Sequence, residues 1–172
     1  MKAKSIKGKS PEEILAELEK SLEDEFKPTL AIIFISIKQD IRAIIEMLSD
    51  QGIDVIGATS SGEFVDGHQS EGEIAIILFD LSREDYFILF ESIKDRDINS
   101  AVEKAAKSIS SKFHNPGLIL LSTCLSDLGE MFDGRTLIHG LEKALGEDVD
   151  VFRGMAGADG ALAGTGVFDT DH

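Results

Sequence analysis

Two stretches carry the residue types that could do chemistry. The first, Gly57-Ala58-Thr59-Ser60-Ser61-Gly62-Glu63-Phe64, places three short hydroxyls between glycines and ends on a carboxylate. The second, Val151-Phe152-Arg153-Gly154-Met155-Ala156-Gly157-Ala158-Asp159-Gly160, runs from an apolar segment into glycine, alanine and one carboxylate. Glycines let a backbone approach a ligand closely, and short side chains supply donors and acceptors without filling the space. With Ser122, Thr123 and Cys124 at the end of another apolar run, the expected site comprises Gly57, Thr59, Ser60, Ser61, Gly62, Glu63, Ser122, Thr123, Cys124, Gly154, Gly157 and Asp159. Its negative charge, from Glu63 and Asp159, suits an amine. The competing explanation is that glycine and serine here only make tight turns.

Other chemistries fit these residues less well. Gly57 to Phe64 has the glycine spacing of a phosphate-binding loop, but Glu63 and Phe64 stand where lysine and a hydroxyl residue are required, and an acid there repels phosphate. Gly154, Gly157 and Gly160 miss the dinucleotide spacing. An enzyme of hydrolase or transferase type would need Cys124 or Ser60 as nucleophile, yet Ser60 lacks the flanking glycines of a nucleophile elbow and no histidine is placed by sequence beside either residue. His68, His114, His139 and His172 are scattered without metal-ligand spacing, so no metal is expected.

The elements that would position these residues follow from pattern. Ser10-Pro11-Glu12-Glu13 reads as N-cap, first-turn proline and capping box, followed by the apolar face Ile14, Leu15, Leu18, Leu22. Leu30 to Ile35 is a continuous apolar run, predicting a strand covered on both faces. Asp40 caps a helix whose Ile41, Ile44, Ile45 and Leu48 recur at helical spacing until Gly52, and a strand from Ile53 to Ala58 completes a βαβ unit. Glu73 to Asp80 and Asp85 to Glu91, around a polar turn, predict a hairpin. Ser100 with Glu103 predicts a cap for a helix carrying Ile98, Val102, Ala105, Ile109 and Phe113. A strand at Leu118 to Leu121, a helix from about Asp133 to Gly146 and a strand at Val149 to Phe152 follow.

The expected fold class is α/β, a mixed sheet with helices packed on it. It is built from two similar αβαββ(β) units, about residues 11–91 and 98–172, with the second incomplete. Residues 1–172 are expected to form one domain, and the unfinished second unit suggests an open sheet edge through which a homodimer could form. A formal charge of −15 and a pI near 4.5 disfavour nucleic acid and anionic membrane surfaces as partners. One cysteine, no uninterrupted apolar leader and no span-length segment point to the cytoplasm.

Both glycine stretches, together with Ser70-Glu71-Gly72 opening a strand between them, resemble the N-terminal part of the FIST family of sensory domains over roughly Leu30 to Phe168. That resemblance implies a ligand-sensing module of prokaryotic signal transduction for amino acids or related small polar molecules. It also implies partners such as chemoreceptors, histidine kinases or cyclic-dinucleotide enzymes. Some members bind haem and sense nitric oxide; a haem would need a proximal histidine, for which His68 in the glycine-rich loop is the best placed here. No cofactor is otherwise expected. Against the family pattern, the chain is expected to stop before the rest of the N-terminal module and to lack the C-terminal FIST domain.

Overall fold

The computed structural model describes residues 1–23, 25–93, 97–123, 125, 130–131, 133–146, 149–161 and 164–172. In chain order the elements are β1 (Lys2–Gly8), α1 (Pro11–Leu22), β2 (Leu30–Ser36), α2 (Ile41–Asp50), β3 (Asp54–Ser60), β4 (Glu63–Val65), β5 (His68–Ser70) and β6 (Ile74–Asp80). Then come α3 (Ile98–Lys112), β7 (Leu118–Ser122), α4 (Gly134–Leu145), β8 (Val151–Met155) and β9 (Val167–Asp169). The class is mixed α/β, as the sequence predicts.

The principal sheet has five strands in the order β1-β6-β2-β3-β9. β2 and β3 run parallel, with Ser36 opposite Ser60 at their carboxyl ends, and the other pairings are antiparallel. Along β2 and β3, Ala31, Ile33, Ile35 and Val55 point to one face, where Ile14 and Leu18 of α1 and Ile44 and Leu48 of α2 cover them. Ile74, Ile76 and Leu78 of β6 and Ile6 of β1 extend the same core. On the opposite face Ile32 and Ala58 are buried while Phe34 is 39% exposed, so cover there is partial.

Helix starts obey their local chemistry. Ser10 caps α1 by accepting from the Glu13 N–H at 3.4 Å, and Asp40 caps α2 by accepting from the Ala43 N–H at 3.0 Å. For α3 the cap is Asp97, which accepts from the Ser100 N–H, so the Ser100–Glu103 capping box is corrected. A carboxylate one turn earlier reaches the free N–H groups and leaves Ser100 inside the first turn. Asp133 and Gly146 bound α4 as expected.

The expected hairpin of Glu73 to Asp80 with Asp85 to Glu91 is also corrected. Asp85 to Glu91 is not a strand, because the edge of β6 is already taken by β1, whose lysine-rich sequence hides its strand character. The segment instead folds back, with the Tyr86 hydroxyl 2.6 Å from Asp54 Oδ2 and Arg83 paired with the same carboxylate. The loop after Gly62 contains the β4–β5 hairpin, turned by Asp66 and Gly67, whose φ values are 49° and 81°.

After the principal sheet, the order helix, strand, helix, strand recurs. β7 and β8 form a separate parallel pair, and α3, α4 and Leu120 of β7 make a second apolar cluster around Val102, Leu137 and Leu141. β9 then returns to the principal sheet and pairs with β3. The last strand thus belongs to the first sheet and does not extend the second unit.

Candidate functional site

The carboxyl ends of β2 and β3 meet the chain that leaves β8, and their contact is an interlock of the two glycine stretches. The Gly157 N–H donates to the Thr59 carbonyl at 2.7 Å and the Asp159 N–H to the Ser60 carbonyl at 3.2 Å. The Ala158 N–H donates to Ser61 Oγ at 3.0 Å. Any Cβ on Gly157 would overlap Ser61 Oγ and lie 2.7 Å from the Ser61 nitrogen, so the close approach requires glycine. Farther down β3, Gly57 makes room for the Phe168 ring of β9.

Thr59 continues the stitching. Its Oγ1 accepts from the Gly166 N–H at 2.9 Å, while its own N–H donates to the Gly166 carbonyl. At the end of β7, the Ser122 carbonyl accepts from the Ala156 N–H at 2.8 Å, which brings that strand end to the same junction. Gly154 sits within β8 beside Leu121, and Gly62 lies 3.5 Å from the Ser70 carbonyl when a Cβ is built on it. Thr123 follows Ser122 and is half-buried. Cys124 lies outside the described residues.

The two carboxylates have different environments. Glu63 is 2% exposed; it accepts from Ser60 Oγ at 2.5 Å on one oxygen and from the Glu73 N–H at 3.0 Å on the other. Both of its oxygens are therefore engaged within the protein. Ser60, itself buried, donates its hydroxyl hydrogen to that carboxylate, which anchors the strand end.

Asp159 is held in the left-handed region at φ 47° and its side chain is buried. Oδ2 accepts from Ser36 Oγ at 2.6 Å and pairs with Lys38 Nζ at 3.1 Å. The Ser36 hydroxyl, and secondarily the Lys38 ammonium, hold its carboxyl below the ordinary range although burial acts the other way. Oδ1 is sealed from solvent and has no hydrogen-bond partner among the described residues. A buried carboxylate oxygen left without a donor is costly, and so it marks a place where a donor belongs.

The structure thus brings together Thr59, Ser60, Ser61, Glu63, Ser122, Gly157 and Asp159. Sequence reasoning missed Ser36 and Lys38, which hold Asp159. The βαβ register contained the signal, since a parallel pairing of the two apolar runs sets Ser36 against Ser60. His68, the residue expected as a haem's proximal ligand, stands half-exposed on the β4–β5 hairpin beside Lys7, Lys9, Glu13 and Glu73. Among the described residues, no group of three or more His, Cys, Asp or Glu could hold a metal ion, and no helix is long and apolar enough to cross a membrane.

The FIST N domain family model matches residues 29–172. The chain belongs to the FIST N domain family. It is therefore a domain of a sensory, signal-transducing family, and the glycine interlock lies wholly inside the matched FIST region. β1 and α1 precede that region. Comparison with curated proteins and with solved structures gave no match.

Proposed function

We propose that this FIST domain senses a small polar molecule bearing an amine, an amino acid or a close relative. In this reading the ligand is held at Asp159, with Ser61, Gly62, Ser122, Thr123 and Gly154 as its other proposed contacts. The observation that carries it is the sealed Oδ1 of Asp159, unpartnered among the described residues. An ammonium there would supply the missing donor and form a charge-assisted hydrogen bond. Because the oxygen is covered, binding requires local opening of the 155–161 segment. Such opening shifts the interlock with Thr59 and Ser61, and this movement is what a signalling partner, a chemoreceptor, histidine kinase or cyclic-dinucleotide enzyme, would read.

Scanning fluorimetry against a panel of amino acids and simple amines tests the reading. At a concentration about 100 times its Kd, a ligand adds about 2.7 kcal/mol of stability. For a chain of this size that raises Tm by roughly 5–10 °C. Asp159→Asn should abolish the shift. A panel with no stabilising member, or a shift that survives Asp159→Asn, refutes the proposal.

A further inference from the structure

A cavity of about 230 Å³ lies away from Asp159, lined by Lys7, Gly8, Lys9, Glu13, His68 and Glu73. Four of these residues precede the region that the FIST family model matches, so β1 and the start of α1 build most of this wall. Drug-sized ligands occupy roughly 300–1,000 Å³, so this volume suits something smaller.

The charges in the cavity are incompletely paired. Glu73 has a side chain only 12% exposed, yet its basic neighbours stand off, with Lys9 Nζ at 3.7 Å and His68 Nε2 at 3.8 Å. A formed N–H···O bond between charged groups measures about 2.7–2.9 Å. Its carboxylate accepts no hydrogen bond among the described residues and, unlike Asp159 Oδ1, is not sealed from solvent. On β1, Lys7 makes no ion pair among the described residues, while Glu13 already accepts from the Lys9 N–H at 2.8 Å. The cavity therefore presents one open acceptor, Glu73, and two open donors, Lys7 and His68.

We infer that this cavity is a second binding site, for a small zwitterion whose ammonium meets Glu73 and whose carboxylate meets Lys7 and His68. A ligand with net negative charge would be opposed by the chain's −15, while the lining itself sets Lys7 and Lys9 against Glu13 and Glu73 and so offers partners of both signs. A zwitterion meets both the acidic and the basic lining groups at no net charge. The site also has a connection to the interlock: the Glu73 N–H holds Glu63, and the Glu73 carbonyl accepts from the Ser36 N–H at 3.0 Å. Ser36 in turn holds Asp159. This inference does not rest on ligand binding at Asp159.

The test titrates the full chain with γ-aminobutyrate, and with butyrate and butylamine as single-charge controls, by calorimetry and by proton NMR of the His68 imidazole. The zwitterion should bind with a Kd on the order of 1 mM and shift the His68 resonances, with each control at least about tenfold weaker. Glu73→Gln, which keeps the backbone bonds to Glu63 and Ser36, should weaken binding about tenfold or more, whereas Asp159→Asn should leave it unchanged. Lys7→Gln should give the same loss through the ligand's carboxylate and serves if Glu73→Gln fails to fold. Unmoved His68 resonances, or affinity unaffected by Glu73→Gln and Lys7→Gln, overturn the inference. Binding lost only in Asp159→Asn also overturns it, while leaving the Asp159 reading intact.

Discussion

Replacing Gly157 by alanine tests the interlock most directly. The added Cβ would lie 2.7 Å from the Ser61 nitrogen and 3.0 Å from the Ser60 carbonyl carbon, and backbone atoms cannot swing aside as a side-chain tip can. Relief requires the 157–159 segment to withdraw, which breaks the bonds Gly157 N–H to Thr59, Ala158 N–H to Ser61 and Asp159 N–H to Ser60. At about 1 kcal/mol net for each, the loss is about 3 kcal/mol. That corresponds to a Tm lower by roughly 6–12 °C. Urea unfolding followed by far-ultraviolet circular dichroism measures it, with Gly134→Ala as a control because a Cβ there meets open space. Ser61→Ala removes the hydroxyl part of the clash but not the backbone part, so it should not rescue the variant. A Gly157→Ala chain within about 0.5 kcal/mol of the parent, or fully restored by Ser61→Ala, refutes the account of a backbone-to-backbone approach.

Two titrations follow from the placement of charge. The lowered pKa of Asp159, caused first by Ser36 and then by Lys38, contributes stability that is present above the unfolded value of about 3.9 and lost as pH falls through the folded value. The urea midpoint of the parent should therefore fall more steeply than that of Asp159→Asn below about pH 4, and parallel acid limbs would contradict the assignment. Burial, and next the hydrogen bond to Asp54, raise the pKa of Tyr86, so its contribution is present below about pH 10 and lost as pH rises through the folded value. Tyr86 is the chain's single tyrosine and there is no tryptophan, so phenolate absorbance reports it alone. Its midpoint should lie above the ordinary value and move part of the way back in Asp54→Asn; a midpoint at or below the ordinary value would show that the pair does not form.

The parts of the fold that sequence revealed are those whose cause is local. Ser10 with Pro11, Asp40 and Asp133 announce their helices because a cap works within one turn, and the apolar run from Leu30 announces a central strand, although Phe34 on its second face is only partly covered. β1 was not legible, since its three lysines outnumber its one buried isoleucine and its partner lies far along the chain at β6. The same non-locality misplaced Asp85 to Glu91, which is apolar enough for a strand but finds β6 already paired. In the candidate site, Thr59, Ser61 and Gly157 were legible as types yet not as partners in one interlock. Glu63 was read as free charge because nothing in the spacing reveals that the Ser60 hydroxyl and the Glu73 N–H take both its oxygens. Ser36 and Lys38 became visible only with the parallel register of β2 and β3.

The return of β9 to β3 also sets a schedule for folding. Thr59 and Gly166, which stitch the two together, are 107 residues apart in the chain. At about 5–20 residues per second, a ribosome needs roughly 5–20 s to deliver the second after the first. Local helices and hairpins form within microseconds, so during that interval β2 and β3 can pair while the outer edge of β3 still lacks its neighbour. An unpaired edge of this kind templates association between nascent chains. Slower elongation should therefore increase aggregation of this protein, and the closing of the Phe168 ring over Gly57 is the event that ends the exposure.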